Sequence, residues 1–234
     1  MRRCSKVNPS GVGIRSIQLH MENRGQPFNP TVLWDDQDVV LVDTGLPGQT
    51  ELIRAAFQEA GIPYEKLTKI LITHQDMDHI GSLPELMAAF GDQVQALAHQ
   101  AAVPYLAGEI PLEKSKRLVS HPVSVDVALQ DGDVLPFAGG IQVVFTPGHT
   151  PDHTSFYHIP SQTLIAGDAL TAQEGILQSY SPAYTPDQAS ALQSIAKFRS
   201  LELEKIIAYH GGECTDNLQG RLRTILDAGP VAVK

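Results

Sequence analysis

The chain has 234 residues, 42% of them hydrophobic and 18% charged, which suits one large domain or two small ones with a sizeable core. A net charge of −9 and the lack of a basic stripe argue against a nucleic-acid surface, because nothing would displace counterions from phosphates. No apolar run reaches membrane-spanning length and no signal-peptide core is visible. Cys4 and Cys214 are the two cysteines, too few for a disulfide framework, so a cytoplasmic setting with both thiols reduced is expected.

In chain order, residues 1–13 are expected to be a mobile N-terminal segment. Strands are predicted at 14–20, 31–34 and 39–42, with Asp35-Asp36-Gln37-Asp38 as a turn. An amphipathic helix over 49–60 stops at Gly61, with Pro63 beyond. The β-branched, apolar stretch 67–72 reads as a buried strand. A helix at 83–90, a strand at 94–98 and a short helix at 100–106, interrupted by Pro104, follow. The second half repeats the logic, with strands at 125–129, 141–145, 154–159, 162–166 and 205–209 and helices near 187–199 and 216–227. No low-complexity linker divides the halves, so residues 1–234 are read as a single α/β domain with internal pseudo-symmetry.

The informative stretch is Thr73-His74-Gln75-Asp76-Met77-Asp78-His79. It places four potential metal ligands, His74, Asp76, Asp78 and His79, just past the end of a strand, where α/β layers keep their sites. Ligands so close together repel and lose solvation unless a cation neutralises them. A solvated turn is the bland alternative. Against it, three other strand ends each supply a ligand type: His149 in Thr146-Pro147-Gly148-His149, Asp168 in Ala166-Gly167-Asp168, and His210 before Gly211-Gly212.

This order of motifs, with Asp43 in Leu41-Val42-Asp43-Thr44-Gly45, resembles the metallo-β-lactamase-fold superfamily, whose signature is H-x-H-x-D-H followed by a distant His, Asp and His. The resemblance covers roughly residues 14–229. It implies an αββα sandwich of two mixed β-sheets flanked by helices, with a dinuclear metal site at one edge. Carried over by position, the first metal would take His74, Asp76 and His149, the second Asp78, His79 and His210, and Asp168 would bridge both. A metal-bridging hydroxide would be the nucleophile, with Asp78 orienting it and passing a proton to the leaving group. Asp43 either supports the ligands from outside or caps its own turn.

The chain departs from the pattern at Asp76, where the family usually carries His. The third carboxylate makes the centre one unit less positive and its shell richer in oxygen. Zinc is expected ahead of manganese or iron, although an oxygen-rich shell favours the harder cations. The family's diiron flavoproteins place a carboxylate there too, but as Glu. Acyl-homoserine lactonases carry Tyr where this chain has Thr171, and glyoxalase-type thioesterases carry His-His-His where it has His74-Gln75-Asp76. Neither specific assignment fits fully.

The leading expectation is a metal-dependent hydrolase acting on a small ester, lactone or thioester. A mononuclear iron oxidoreductase, dioxygenase-like and using two His and one carboxylate, is the alternative; a ligand-binding protein that kept the fold is a third. A small-molecule substrate is expected, with no nucleic acid and no membrane, and a homodimer is left open. Residues 171–186 form the predicted substrate-facing loop, where Tyr180 and Tyr184 either stabilise an oxyanion or pack the loop. His153 reads as structural, His99 as a packed helix-start residue, and the basic run from Lys114 to Arg117 as solvated charge ahead of an anion contact.

Overall fold

The computed structural model describes residues 11–21 and 25–230. The expected mobile segment 1–13 lies outside the described residues as far as residue 10, and Gly13 already belongs to the first strand.

Strands β1 (Gly13–Ser16), β2 (Thr31–Trp34) and β3 (Val39–Val42) form an antiparallel meander. The β2–β3 turn is held by Asp35, whose carboxylate accepts the N–H groups of Gln37 and Asp38, the local bonding that makes Asp a turn residue. Helix α1 (Thr50–Ala60) ends at Gly61 in the left-handed region, as its stop signal requires. It leads to β4 (Leu67–Ile72), parallel to β3. Helices α2 (Met77–Ile80) and α3 (Leu83–Phe90) lead to β5 (Gln95–His99), and α4 (Val103–Leu106) with a long loop leads to β6 (Val127–Leu129). These strands make one sheet in the order β1-β2-β3-β4-β5-β6.

The second sheet collects β7 (Val134–Leu135), β8 (Ile141–Phe145), β9 (Thr154–His158) and β10 (Thr163–Gly167). A two-stranded ribbon, β11 (Thr171–Gln173) and β12 (Ile176–Gln178), follows, then α5 (Gln188–Lys197), β13 (Lys205–Ala208), β14 (Gly212–Cys214) and α6 (Leu218–Ala228). The order of this second sheet is β14-β13-β10-β9-β8-β7, with β10 and β13 parallel.

Strand alternation sorts the apolar side chains into layers. Along β3, Val39 and Leu41 face the first helical layer, while Val40 and Val42 face the other sheet. Along β10, Leu164 and Ala166 face α5 and α6, while Ile165 turns inward. Leu33, Leu71, Leu97, Val143 and Phe156 complete the inter-sheet core. Burying each such side chain stabilises by about 1.5–3 kcal/mol, so the sheets are locked face to face. The result is the expected αββα sandwich.

The predicted strand 14–20 stops at Ser16, although Ile17 and Leu19 continue the pairing by donating to the carbonyls of Pro30 and Phe28. The predicted loop 171–186 folds partly into the β11–β12 ribbon, and β14 begins at Gly212, which pairs with Ala208.

Candidate metal centre

The structure brings all seven predicted ligand residues to one edge of the sandwich. His74, Asp76, Asp78 and His79 follow β4, His149 follows β8, Asp168 follows β10 and His210 follows β13. The two sheets are stitched directly beneath them, where the Thr154 N–H donates to the Thr73 carbonyl at 2.8 Å. His210 is fixed by a close backbone approach. A Cβ on Gly211, which sits at φ +109, would fall 1.8 Å from the Ala172 carbonyl oxygen, so only glycine serves there.

Two groups of donor atoms result, each lying within 4.8 Å of one another: His74, Asp76, His149 and Asp168, and then Asp78, His79 and His210. Asp168 joins them. One of its oxygens is 3.3 Å from His149 Nε2 and 3.3 Å from His210 Nε2, and the other is 3.3 Å from His79 Nε2. His79 Nε2 and Asp168 Oδ1 are buried and, although they face each other at 3.3 Å, neither makes a hydrogen bond of good geometry. Leaving a buried polar atom unpaired costs about 1–3 kcal/mol. A divalent cation between these atoms would satisfy both, so the donor set fits a metal.

Asp43 sets which ring nitrogens face the centre. It stands in the left-handed region at φ 64, which aims its carboxylate back under the site. Oδ1 accepts the Thr73 N–H at 2.8 Å, and Oδ2 accepts the Thr73 hydroxyl at 2.7 Å and His79 Nδ1–H at 2.8 Å. With its proton committed to Asp43, the Thr73 hydroxyl oxygen accepts from His74 Nδ1–H at 3.0 Å. One carboxylate thereby holds Nδ1 of both His79 and His74 and leaves the Nε2 atoms of both facing the cluster, the support that metal-binding histidines use. The turn-capping alternative for Asp43 is thus the lesser part of its bonding.

Charge is concentrated here. Burial works against a protonated His210, but Asp168 and Asp78 outweigh it and raise its pKa to about 9. Burial likewise opposes protonation of His79, and Asp168 and Asp43 carry its pKa well above the usual imidazole range. Against the pull of burial, His210 and His79 lower Asp78 to about 2. His79 and His210 hold Asp168 well below the carboxylate range despite its burial. Asp76 is also buried, and His74, His149 and Lys114 keep it ionised. With the pKa values of His79 and His210 raised in this way, a metal must compete with protons for these two rings. Metal uptake at pH 7 is expected to release protons from both rings, and affinity should fall as pH drops below about 9. Calorimetry in buffers of different ionisation enthalpy checks this.

Other predicted residues take supporting places. His153 lies beneath the centre: its Nε2 accepts the Asp168 N–H at 3.0 Å and its Nδ1 bonds the Thr146 hydroxyl at 2.8 Å. Burial, with His74 and His149 nearby, keeps its pKa well below normal, which suits that acceptor role. His99 stacks on Phe145 with centroids 4.0 Å apart and accepts the Ala101 N–H. Tyr180 is buried and donates to Gln188 Oε1 at 2.9 Å; Tyr184 is 62% exposed and lines the cavity over the centre. Lys114 is the residue that sequence reasoning missed. Its Nζ donates to Asp76 Oδ2 and to His149 Nε2. The signal available was the extra carboxylate at Asp76, which calls for an extra cation without saying which lysine supplies it.

Comparison with known proteins places the fold in a family. Residues 25–210 match the family described as the metallo-beta-lactamase superfamily. A probable metallo-hydrolase, YybB of Bacillus subtilis, is 29% identical over 141 residues, covering 60% of this chain and 61% of its own length. A hydroxyacylglutathione hydrolase of Ectopseudomonas mendocina is 31% identical over 146 residues, covering 60% of this chain and 47% of its own. The matched stretch thus spans about three-fifths or less of these curated relatives. A metallo-beta-lactamase family protein from Thermus thermophilus shares the fold with a TM-score of 0.68 at 23% identity, over 92% of this chain and 79% of that one. With the family match reaching from the opening meander to His210, the chain belongs to the metallo-beta-lactamase superfamily.

Proposed function

We propose that the protein is a metal-dependent hydrolase of a small ester, lactone or thioester. The observation that carries this reading is Asp168, placed 3.3 Å from three histidine nitrogens of two donor groups, with its Oδ1 and His79 Nε2 buried and neither in a hydrogen bond of good geometry. His74, Asp76 and His149 would hold one divalent cation, Asp78, His79 and His210 a second, and Asp168 would contact both. Zinc suits the histidines; manganese or iron would suit the three carboxylates. Such a pair of cations lowers the pKa of water and polarises a carbonyl oxygen.

The chain's own residues supply positioning and proton transfer. Asp78 borders the cavity and is ionised at neutral pH, so it can accept a proton from the attacking water and return it to the leaving oxygen or sulfur. The cavity, about 540 Å³, has Leu46, Met77 and Leu112 among its walls. A second cavity of about 630 Å³ shares Met77, Leu112 and Ser115 with it and is largely apolar, which gives room for an apolar acyl group beside the metal centre. The relatives named as hydrolases support the same chemistry.

Turnover of a panel of esters, lactones and thioesters by zinc-, manganese- and iron-loaded protein tests the proposal. Hydrolysis abolished by chelator and restored by metal is expected; no turnover of any class by metal-loaded protein would sink it. The Lys114 ammonium among the first group of donors favours one second reading, a single iron held by His79, His210 and a carboxylate. Its signature would be oxygen consumption with one iron per chain.

A further inference from the structure

Gln75 and Asp76, where the first motif differs from the family's glyoxalase-type members, both reach the loop between α4 and β6. Gln75 is fully buried. Its Nε2 donates to Asp152 Oδ1 at 2.9 Å, and its Oε1 accepts the Glu113 N–H at 2.6 Å. That second bond fastens the loop one residue before Lys114. From this anchor the Lys114 side chain turns into the centre, where Nζ meets Asp76 Oδ2 and lies 2.8 Å from His149 Nε2. It also lies 5.7 Å from the centroid of the Tyr184 ring.

The atoms that Lys114 engages are themselves donors of the first group. Asp76 Oδ2 is 3.1 Å from His74 Nε2 and 3.0 Å from His149 Nε2. Three charged groups meet at His149 Nε2: the Lys114 ammonium at 2.8 Å, which can only donate, and the Asp76 and Asp168 carboxylates at 3.0 and 3.3 Å, which can only accept. The Lys114 ammonium thus touches the same two donor atoms, Asp76 Oδ2 and His149 Nε2, that an ion of the first group would take. Asp78 and Asp168, by contrast, make ion pairs only with histidines among the described residues.

We propose that Lys114 is a built-in cation of the first donor group, and that its ammonium competes with a divalent ion for Asp76 and His149. The inference rests on the metal-centre reading above and adds an asymmetry to it: the first group binds its ion more weakly than the second. The chemistry is direct. Asp76 is a buried carboxylate, and removing the partner of a buried charge is strongly destabilising. Lys114 supplies that partner when no ion is bound. An ammonium on a four-carbon stem is compact and mobile, so it can withdraw toward Tyr184 and the open cavity when an ion arrives. The extra negative charge at Asp76 and the extra positive charge at Lys114 therefore belong together, and Gln75 holds the loop that joins them.

Metal-stripped wild-type protein and Lys114→Met are to be titrated with zinc in competition with a chromophoric chelator. The wild type is expected to bind in two unequal steps. In Lys114→Met the weaker step should tighten at least about tenfold, while the stronger one moves by less than about twofold, since only the first group loses a competing cation. Thermal unfolding of the same samples separates this from misfolding. Metal-free Lys114→Met should melt below the metal-free wild type, and saturating zinc should raise its melting temperature by more. Gln75→Ala, which frees the loop at Glu113, should tighten the weaker step in the same direction. Equal steps in the wild type, or a weaker step that is unchanged or loosened in cooperatively folded Lys114→Met, would overturn the proposal. No zinc binding by the wild type would instead overturn the metal-centre reading on which it rests.

Discussion

Asp168→Ala is expected to lose metal and activity together. Its carboxylate is the contact shared by His79, His149 and His210, and its two oxygens reach histidines of both donor groups. Alanine removes that junction, together with the charge that raises the pKa values of His79 and His210. Loss of a residue merely supporting a ligand costs roughly 10–100-fold in metal affinity or activity. Removal of the carboxylate that reaches both donor groups should exceed the upper end of that range. Metal content per chain and turnover, measured on one preparation, check the prediction. A second readout is the His210 ring in metal-free protein: its proton resonances should titrate far below the pH of about 9 expected for the wild type. A variant that kept its metal would show that Asp168 merely balances histidine charge.

Asp43→Asn should weaken metal binding without touching a ligand. The left-handed φ of 64 at this position is one that Asn tolerates well, so the backbone is undisturbed. The chemistry is not. The Thr73 N–H, 2.8 Å from Oδ1, is a fixed donor, and the Asn carbonyl oxygen must face it. The amide NH2 then falls where Oδ2 had accepted the Thr73 hydroxyl and His79 Nδ1–H. Two donors cannot face each other, so His79 is driven to the tautomer with its proton on Nε2, the nitrogen that faces the centre. Metal affinity should fall by roughly 10–100-fold, and nitrogen chemical shifts of the metal-free protein, recorded at a pH where the His79 ring is neutral, should report the reversed tautomer. Unchanged affinity would make Asp43 a turn-capping residue and nothing more.

Much of this centre was legible in the sequence because strand ends mark themselves. The apolar runs Leu67–Ile72 and Ile141–Phe145 each stop at a cluster of polar residues, and in this fold the residues just beyond these strands converge at one edge. The continuous apolar run Val39–Val42, after the Asp35–Asp38 turn, marked β3 and, with it, the position of Asp43. What stayed hidden depends on long-range contact. The ribbon β11–β12 is short, and residues 171–178 have little apolar alternation; it forms beside β14, with the Ala172 N–H donating to the His210 carbonyl. Tyr180 and Tyr184 look equivalent in the sequence, yet one packs in the core under α5 and the other stands at the cavity. Lys114 sits in a basic stretch that reads as solvated charge. Only the tertiary bond from Gln75 to the Glu113 N–H turns it toward Asp76, and no local pattern encodes that bond.

The central claim is a centre for two divalent ions built from these seven residues. It is tested most directly by the number of ions bound per chain at saturation, measured by equilibrium dialysis of chelator-stripped protein against zinc followed by elemental analysis. Two ions per chain in the wild type, with the second lost in Asp168→Ala, is the predicted result. One ion or none at saturation, or two that persist in Asp168→Ala, would contradict it.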